Sequence, residues 1–71
     1  MIADIRRLLD TQPFEAFSIV TSSGQRYFVA SHEHAFINPR QTRVTVFFDD
    51  DSQVSISALH IVAIEQSAPA I

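Results

Sequence analysis

The sequence predicts a mainly β domain in which an N-terminal α-helix precedes a five-stranded β-barrel. Three observations carry this prediction. The first dozen residues contain one short amphipathic stretch, and apolar runs of about four to seven residues fill the rest, each ended by a turn signal. The chain has 71 residues, which is the size of one small domain. We assign residues 1–66 to this domain and expect residues 67–71 to form a flexible tail.

The helix is predicted for residues 2–10, where apolar side chains recur at helical spacing. The apolar stripe consists of Ile2, Ile5, Leu8 and Leu9. Pro13 cannot continue the helix and favours extended geometry at Gln12. Phe14 and Phe17 follow at once. We expect these two rings to hold the helix against the sheet.

The strands follow from alternation of apolar and polar residues. They are predicted at residues 17–21, 26–30, 42–48, 53–57 and 61–66. Gly24, the single glycine, is expected to supply a positive φ in the first hairpin turn. Residues 36–37 are interpreted as a short extra strand or a lid, and residues 57–60 as one helical turn. The predicted core comprises Ile5, Leu9, Phe17, Ile19, Val44, Val46, Val54, Ile56, Val62 and Ile64.

The order of elements resembles the Sm-like fold, an SH3-like barrel, and within it the Hfq-like proteins. The matching residues are Arg6-Arg7 on the helix, Ser18-Ile19 before Gly24, Val44-Thr45-Val46 in the third strand, and Leu59-His60-Ile61 before the last strand. This resemblance implies a ring of subunits, in which the last two strands pair edge to edge, and binding of single-stranded RNA. The lysine that Hfq-like chains carry beside the equivalent of His60 is absent.

The chain is also similar to a set of short bacterial proteins that begin with a helix and a Pro-Phe-x-x-Phe segment. That segment is present here at residues 13–17. Those proteins end in a Leu-x-Ile-x-x-Ile-Glu run, which matches residues 59–65. This second resemblance implies a comparable strand order and no particular activity.

Composition narrows the classes of function. The net charge is −3, and all five cations are arginine. An acidic domain lacks the overall basic surface on which non-specific nucleic-acid binding depends. The chain contains no cysteine, which excludes disulfides and thiolate metal sites and fits a reducing compartment. We see neither a signal peptide nor a membrane-spanning run and expect a cytoplasmic protein.

Two short polar motifs are candidates for metal binding. His32-Glu33-His34 offers two imidazoles and a carboxylate, and zinc would need a further ligand, with His60 as the candidate. Asp49-Asp50-Asp51 could attract a hard cation, but it lacks the glycine and the distal glutamate of a calcium loop. A solvated loop and an acidic turn explain the two motifs more simply. We therefore predict no metal and no cofactor.

Arginines and aromatic residues are the candidate contacts to single-stranded RNA. The candidate phosphate-binding residues are Arg6, Arg7, Arg26, Arg40 and Arg43. Tyr27 or Phe36 would stack on bases. The simpler alternative is that these arginines are surface residues that pair with the eight acids. Serine, histidine and aspartate all occur, but no spacing predicts a catalytic set, so we expect no enzymatic activity.

Self-association is the stronger prediction, because the chain has more large apolar residues than one small core can bury. Residues 54–64 contain neither proline nor an acidic or basic side chain other than His60, which leaves an unprotected strand edge. The candidate interface comprises Phe47, Val54, Ile56, Leu59 and Ile61. We therefore predict a non-catalytic homo-oligomeric binding or scaffolding module. The alternatives are an Sm-like ring that binds single-stranded RNA and a monomeric adaptor that binds a peptide.

Overall fold

The structure, a computed structural model, describes residues 1–66. The predicted tail at residues 67–71 lies outside the described residues. The helix and the strands are α1 (Ile2–Asp10), β1 (Phe17–Thr21), β2 (Arg26–Val29), β3 (Ala35–Ile37), β4 (Arg43–Phe47), β5 (Gln53–Ser57) and β6 (Ile61–Gln66). A single 3₁₀ turn, Ala58–His60, joins β5 to β6. The helix and all five predicted strands are confirmed to within one residue at each end.

The six strands form two antiparallel three-stranded sheets, and this architecture corrects the predicted five-stranded barrel. Sheet A has the order β2-β1-β6, and sheet B has the order β3-β4-β5. Residues 35–37 form a sixth strand that occupies the side of β4 opposite β5, which was one of the two interpretations of residues 36–37. The 3₁₀ turn carries the chain from β5 to the other sheet, where β6 pairs with β1. Among residues 1–66, no ladder of strand pairs closes the two sheets into a barrel.

The first hairpin turns at Gly24, as the sequence predicts. Gly24 has a φ of 86°, a conformation that costs glycine little because it has no Cβ. The Gly24 N–H donates to the carbonyl of Thr21 over 2.9 Å, and the Thr21 N–H donates to the carbonyl of Gln25 over 2.9 Å. The turn therefore fixes the register in which β1 and β2 pair.

The core lies between the inner faces of the two sheets and is covered by α1. Its largest fully buried side chains are Ile5, Phe17, Ile19, Val29, Val44 and Val46. Ile56 is also buried, while Leu9, Val54 and Ile64 are partly buried and pack against this cluster. These positions confirm the predicted core except at Val62. The helix itself is short, and within residues 1–66 no helix has the length and apolar character that a membrane crossing requires.

A β-bulge explains why the prediction for Val62 is wrong. Opposite β1, Ile19 faces Ile64, Val20 faces Ala63, and Thr21 faces Ile61. Val62 is therefore the extra residue, and alternation along β6 is interrupted there. As a result Val62 is 52% exposed, whereas its neighbour Ile61 is 6% exposed and belongs to the core. Strict alternation cannot place both Ile61 and Ile64 towards the interior, and the bulge allows it.

Candidate functional site

Strand β5 is an edge strand whose outward peptide groups have no partner among residues 1–66. The Phe47 N–H donates to the carbonyl of His34 over 2.8 Å, and the carbonyl of Arg43 accepts the Asn38 N–H over 3.3 Å. The peptide groups of odd-numbered residues of β4 therefore point towards β3, and those of even-numbered residues point towards β5. In β5, the residues whose peptide groups pair with these even-numbered residues are Val54 and Ile56. It follows that the peptide groups of residues 53, 55 and 57 point away from the sheet.

Nothing in the sequence of this edge discourages pairing with another strand. Exposed edges in natural proteins usually carry lysine, proline, an inward-pointing charge or a bulge. Residues 53–57 are Gln-Val-Ser-Ile-Ser and contain neither proline nor charge. They pair in regular register with β4. The edge of β5 is thus regular, uncharged and available to a further strand.

The structure divides the five predicted interface residues into two groups. Leu59, in the 3₁₀ turn beside the edge, is 90% exposed, and Phe47 is 37% exposed. Val54 is partly buried. Ile56 and Ile61 lie in the core and present almost no surface. The surface of this region therefore comes from β5 itself, from Phe47 and from Leu59.

A groove of about 350 Å³ runs beside the edge of β5. One wall is formed by residues 54–57 of β5, and the other by Tyr27 and the turn of the first hairpin. The Ser22 N–H donates to the carbonyl of His60 over 2.8 Å and ties this turn to the 3₁₀ turn. The groove is lined by hydroxyl groups and apolar surface and has room for side chains of an added strand.

Two of the five arginines are held by carboxylates within the chain. Arg26 donates to both oxygens of Glu65, over 2.9 Å from Nε and 3.4 Å from Nη2, across the outer face of sheet A. This hydrogen bond and the opposite charge lower the pKa of Glu65 and raise the pKa of Arg26. Arg7 contacts Asp4 on the helix over 3.4 Å. These two arginines are therefore partly neutralised in place.

The other three arginines have no carboxylate partner among residues 1–66: Arg6, Arg40 and Arg43. Phe36 is 58% exposed on the outer face of sheet B, opposite Thr45. Arg6 and Phe36 line the same shallow pocket between α1 and β3. Arg43 lies on the same outer face and donates to the Ser55 hydroxyl over 3.4 Å. Tyr27, the other candidate for stacking, is half-buried.

The acidic turn lies at the end of sheet B opposite Arg40 and the first residue of β4, Arg43. Asp49, Asp50 and Asp51 follow β4, whereas Arg40 and Arg43 precede it or begin it. The Ser52 hydroxyl and the Ser52 N–H donate to Asp50, which lowers the pKa of that carboxyl. Five strand residues separate the two ends, a distance of about 17 Å. Sheet B thus carries positive charge at one end and negative charge at the other.

His34 links the loop after β2 to the acidic turn. Its Nε2 lies 2.9 Å from Asp49 Oδ1, and its Nδ1 lies 2.6 Å from Ser31 Oγ. A carboxylate can only accept, so Nε2 donates to Asp49, and in the neutral ring Nδ1 accepts from Ser31. The Ser31 oxygen also accepts the Glu33 N–H over 3.2 Å. We name this arrangement of Ser31, His34 and Asp49 the His34 clasp.

The His34 clasp has the residue types of a nucleophilic triad, and its hydrogen bonds connect the loop after β2 to the turn after β4. A triad needs hydrogen-bond donors aimed at a developing oxyanion next to the serine. Within residues 1–66, the Glu33 N–H donates to the Ser31 hydroxyl itself, and the His34 N–H donates to the Ser31 carbonyl over 3.0 Å. Among residues 1–66, no three histidine, aspartate or glutamate side chains form a group that could hold a metal ion. The clasp therefore fastens the 31–34 loop to the β4–β5 turn.

Comparison of the chain with protein-family models, curated proteins and solved structures finds no match. The two resemblances given above therefore stay predictions. The surfaces that could support a function are the edge of β5 with its groove and the outer face of sheet B.

Sequence reasoning missed two of these features. Residues 54–64 indicated an unprotected edge, but the sequence did not show which peptide groups of β5 face outward. That depends on the pairing of β4 with β3. The His34 clasp joins residues separated by 15 and 3 positions, a spacing that no sequence motif marks.

Proposed function

We propose that the protein is a non-catalytic, self-associating binding or scaffolding module. The observation that carries the proposal is the edge of β5, which is regular, uncharged and unpaired within residues 1–66. A small domain of this size buries only about 60% of its unfolded surface, so association adds burial that the single chain lacks. The exposed Leu59 beside the edge adds apolar surface. A cytoplasmic location is part of the proposal and rests on the cysteine-free composition.

The test is to place a charge on the edge. Ser55→Lys adds an exposed cation to β5, a device that natural proteins use to block strand addition. Thr45→Lys is the matched control, because Thr45 lies on the same outer face in the central strand. Sedimentation of the wild-type protein and the Thr45→Lys variant should show the same oligomer, and Ser55→Lys should sediment as a smaller species with unchanged circular dichroism. A wild-type protein that stays monomeric at high micromolar concentration would refute the proposal.

Binding of single-stranded RNA is a second candidate function, favoured by the outer face of sheet B. There an exposed Phe36 lines a pocket together with Arg6, and neither Arg6 nor Arg43 has a carboxylate partner among the described residues. Bases stack on aromatic rings, and arginines neutralise phosphates. Affinity should fall with added salt, with a log–log slope of about −0.7 per phosphate contact.

Fluorescence anisotropy with a labelled oligonucleotide tests this candidate. Replacing Arg6 and Arg43 with glutamine should weaken binding and flatten the dependence on salt. Replacing Arg7 and Arg26, which are already paired with carboxylates, serves as the control and should have less effect. Binding that is tight and insensitive to salt would contradict this candidate.

A further inference from the structure

We propose that two copies of the chain associate by antiparallel pairing of β5 with β5, related by a two-fold axis at Ser55. This inference rests on the proposed self-association and specifies its geometry. Each sheet B would continue into that of the second copy. The result is one six-stranded sheet in the order β3-β4-β5, then β5-β4-β3 of the second copy.

The direction of the peptide groups selects this register. The peptide groups of residues 53, 55 and 57 point away from the sheet at its edge, because those of residues 54 and 56 pair with β4. With Ser55 opposite Ser55 of the second copy, Gln53 faces Ser57 on each side of the axis. All three outward residues of each copy then enter hydrogen-bonded pairs. A slip by one residue would place outward peptide groups against inward ones and exchange the two faces of the sheet.

The faces to which the side chains of β5 point also favour this register. Val54 and Ile56 point to the inner face, so Val54 of one copy would lie beside Ile56 of the other. These apolar residues would meet at the groove that borders β5. Ser55, Gln53 and Ser57 lie on the polar outer face. The inner faces of both copies would therefore form one continuous apolar surface.

The two ends of sheet B carry opposite charges, so two antiparallel copies are complementary, and this favours a second copy as the occupant of the edge. Arg40 lies in the turn between β3 and β4, at the end of sheet B where β5 ends, and Asp49 to Asp51 lie at the end where β5 begins. Parallel pairing would bring the two acidic turns together. Antiparallel pairing places each acidic turn beside the basic end of the other copy. A two-fold interface needs such a self-complementary surface.

Engineered cysteines test the register, since the chain has none of its own. Directly opposed residues in a hydrogen-bonded antiparallel pair have Cα atoms about 5.5 Å apart, within the range of a disulfide. Mild oxidation of a Ser55→Cys variant should therefore convert most of the protein to a covalent dimer. Gln53→Cys or Ser57→Cys alone should stay monomeric on a denaturing gel, because identical residues would lie more than about 13 Å apart. A mixture of these two variants should again yield a covalent dimer.

The outcomes separate this inference from the proposed function. Self-linking of Gln53→Cys and Ser57→Cys would show a parallel arrangement and overturn the two-fold geometry. If no variant links while the wild-type protein is dimeric in sedimentation, the geometry fails and self-association stands. If the wild-type protein is monomeric, including a monomer that takes up an extended peptide along β5, both fail.

Discussion

At the scale of single residues, Leu59 and Ile61 show how closely a surface and a core position can follow each other. Leu59 is 90% exposed in the 3₁₀ turn, and Ile61 is 6% exposed at the start of β6. Their hydrophobicity is similar, so composition alone assigns them the same role. The difference arises because Leu59 lies in the 3₁₀ turn, whereas Ile61 is the first residue of β6 and faces the core.

Alanine substitutions at these two residues should therefore have unequal effects. Ile61→Ala removes buried methyl groups and should lower the free energy of unfolding by about 2–5 kcal/mol. Leu59→Ala removes exposed surface and should change it by less than about 0.5 kcal/mol. Urea denaturation, at a protein concentration where both variants are monomeric, measures both values. Equal losses would show that Leu59 is buried in the folded chain.

The pair of Arg26 and Glu65 gives a pH-dependent prediction. The pKa of Glu65 is lowered in the folded protein, so its charged form stabilises the fold above the pKa of the unfolded chain. That contribution is lost as the pH falls through the folded pKa. A Glu65→Gln variant should therefore be less stable than the wild type at neutral pH and should approach it in acid. Both groups are exposed, so the difference should be small and should shrink with added salt.

Thermal denaturation from neutral to acidic pH measures this difference. Glu33→Gln is the control, because no ion pair of Glu33 is seen within residues 1–66. A Glu65→Gln variant with the same pH profile as the wild type would show that the pair adds nothing to stability.

At the scale of elements, how far the sequence predicts the structure depends on how local each signal is. The Gly24 turn and the alternation in β4 depend on adjacent residues, and both are confirmed. The assignment of strands to two sheets depends on where β3 and β6 pair, which no local pattern records. The bulge at Val62 compensates for an odd spacing between two inward residues, and alternation alone predicted the wrong face. The arginines were identified from sequence, but their carboxylate partners lie up to 39 residues away.

The His34 clasp makes a prediction about the loop at residues 31–34. His34→Ala removes the hydrogen bonds to Asp49 and Ser31, each worth on the order of 1 kcal/mol. Local opening should become more frequent, and backbone amides of this loop should exchange with solvent about tenfold faster. Hydrogen exchange followed by mass spectrometry measures the change. His32→Ala is the control, since His32 is exposed, and it should leave the exchange of the loop unaltered.

At the scale of the whole molecule, the opposite charges at the two ends of sheet B distinguish the two candidate functions. Replacing Asp49, Asp50 and Asp51 with asparagine removes negative charge from one end. Self-association in the two-fold arrangement should weaken, because the acidic turn would no longer attract the basic end of the second copy. Binding of single-stranded RNA should instead strengthen, because a source of repulsion is removed.

Sedimentation and fluorescence anisotropy on the same variant measure the two effects. Asparagine keeps the size of each replaced side chain, and its amide oxygen can still accept the hydrogen bonds that Ser52 donates to Asp50 in the wild type. A variant with unchanged oligomer distribution at low and high salt would contradict the role of charge in the pairing.

The two sheets also differ in how far apart their strands lie along the chain, and this has a consequence for the order of folding. Sheet B is built from consecutive residues 35–57, whereas the residues of β1 pair with residues of β6 that lie 40 to 49 positions later. Closing long loops costs entropy before the contacts form, so local pairings tend to form first. Sheet B is therefore the expected nucleus.

Val46→Ala should chiefly slow refolding, and Ile64→Val should chiefly speed unfolding, in stopped-flow measurements. During synthesis, the hairpin of β1 and β2 would therefore form part of an incomplete sheet A until β6 has been synthesised.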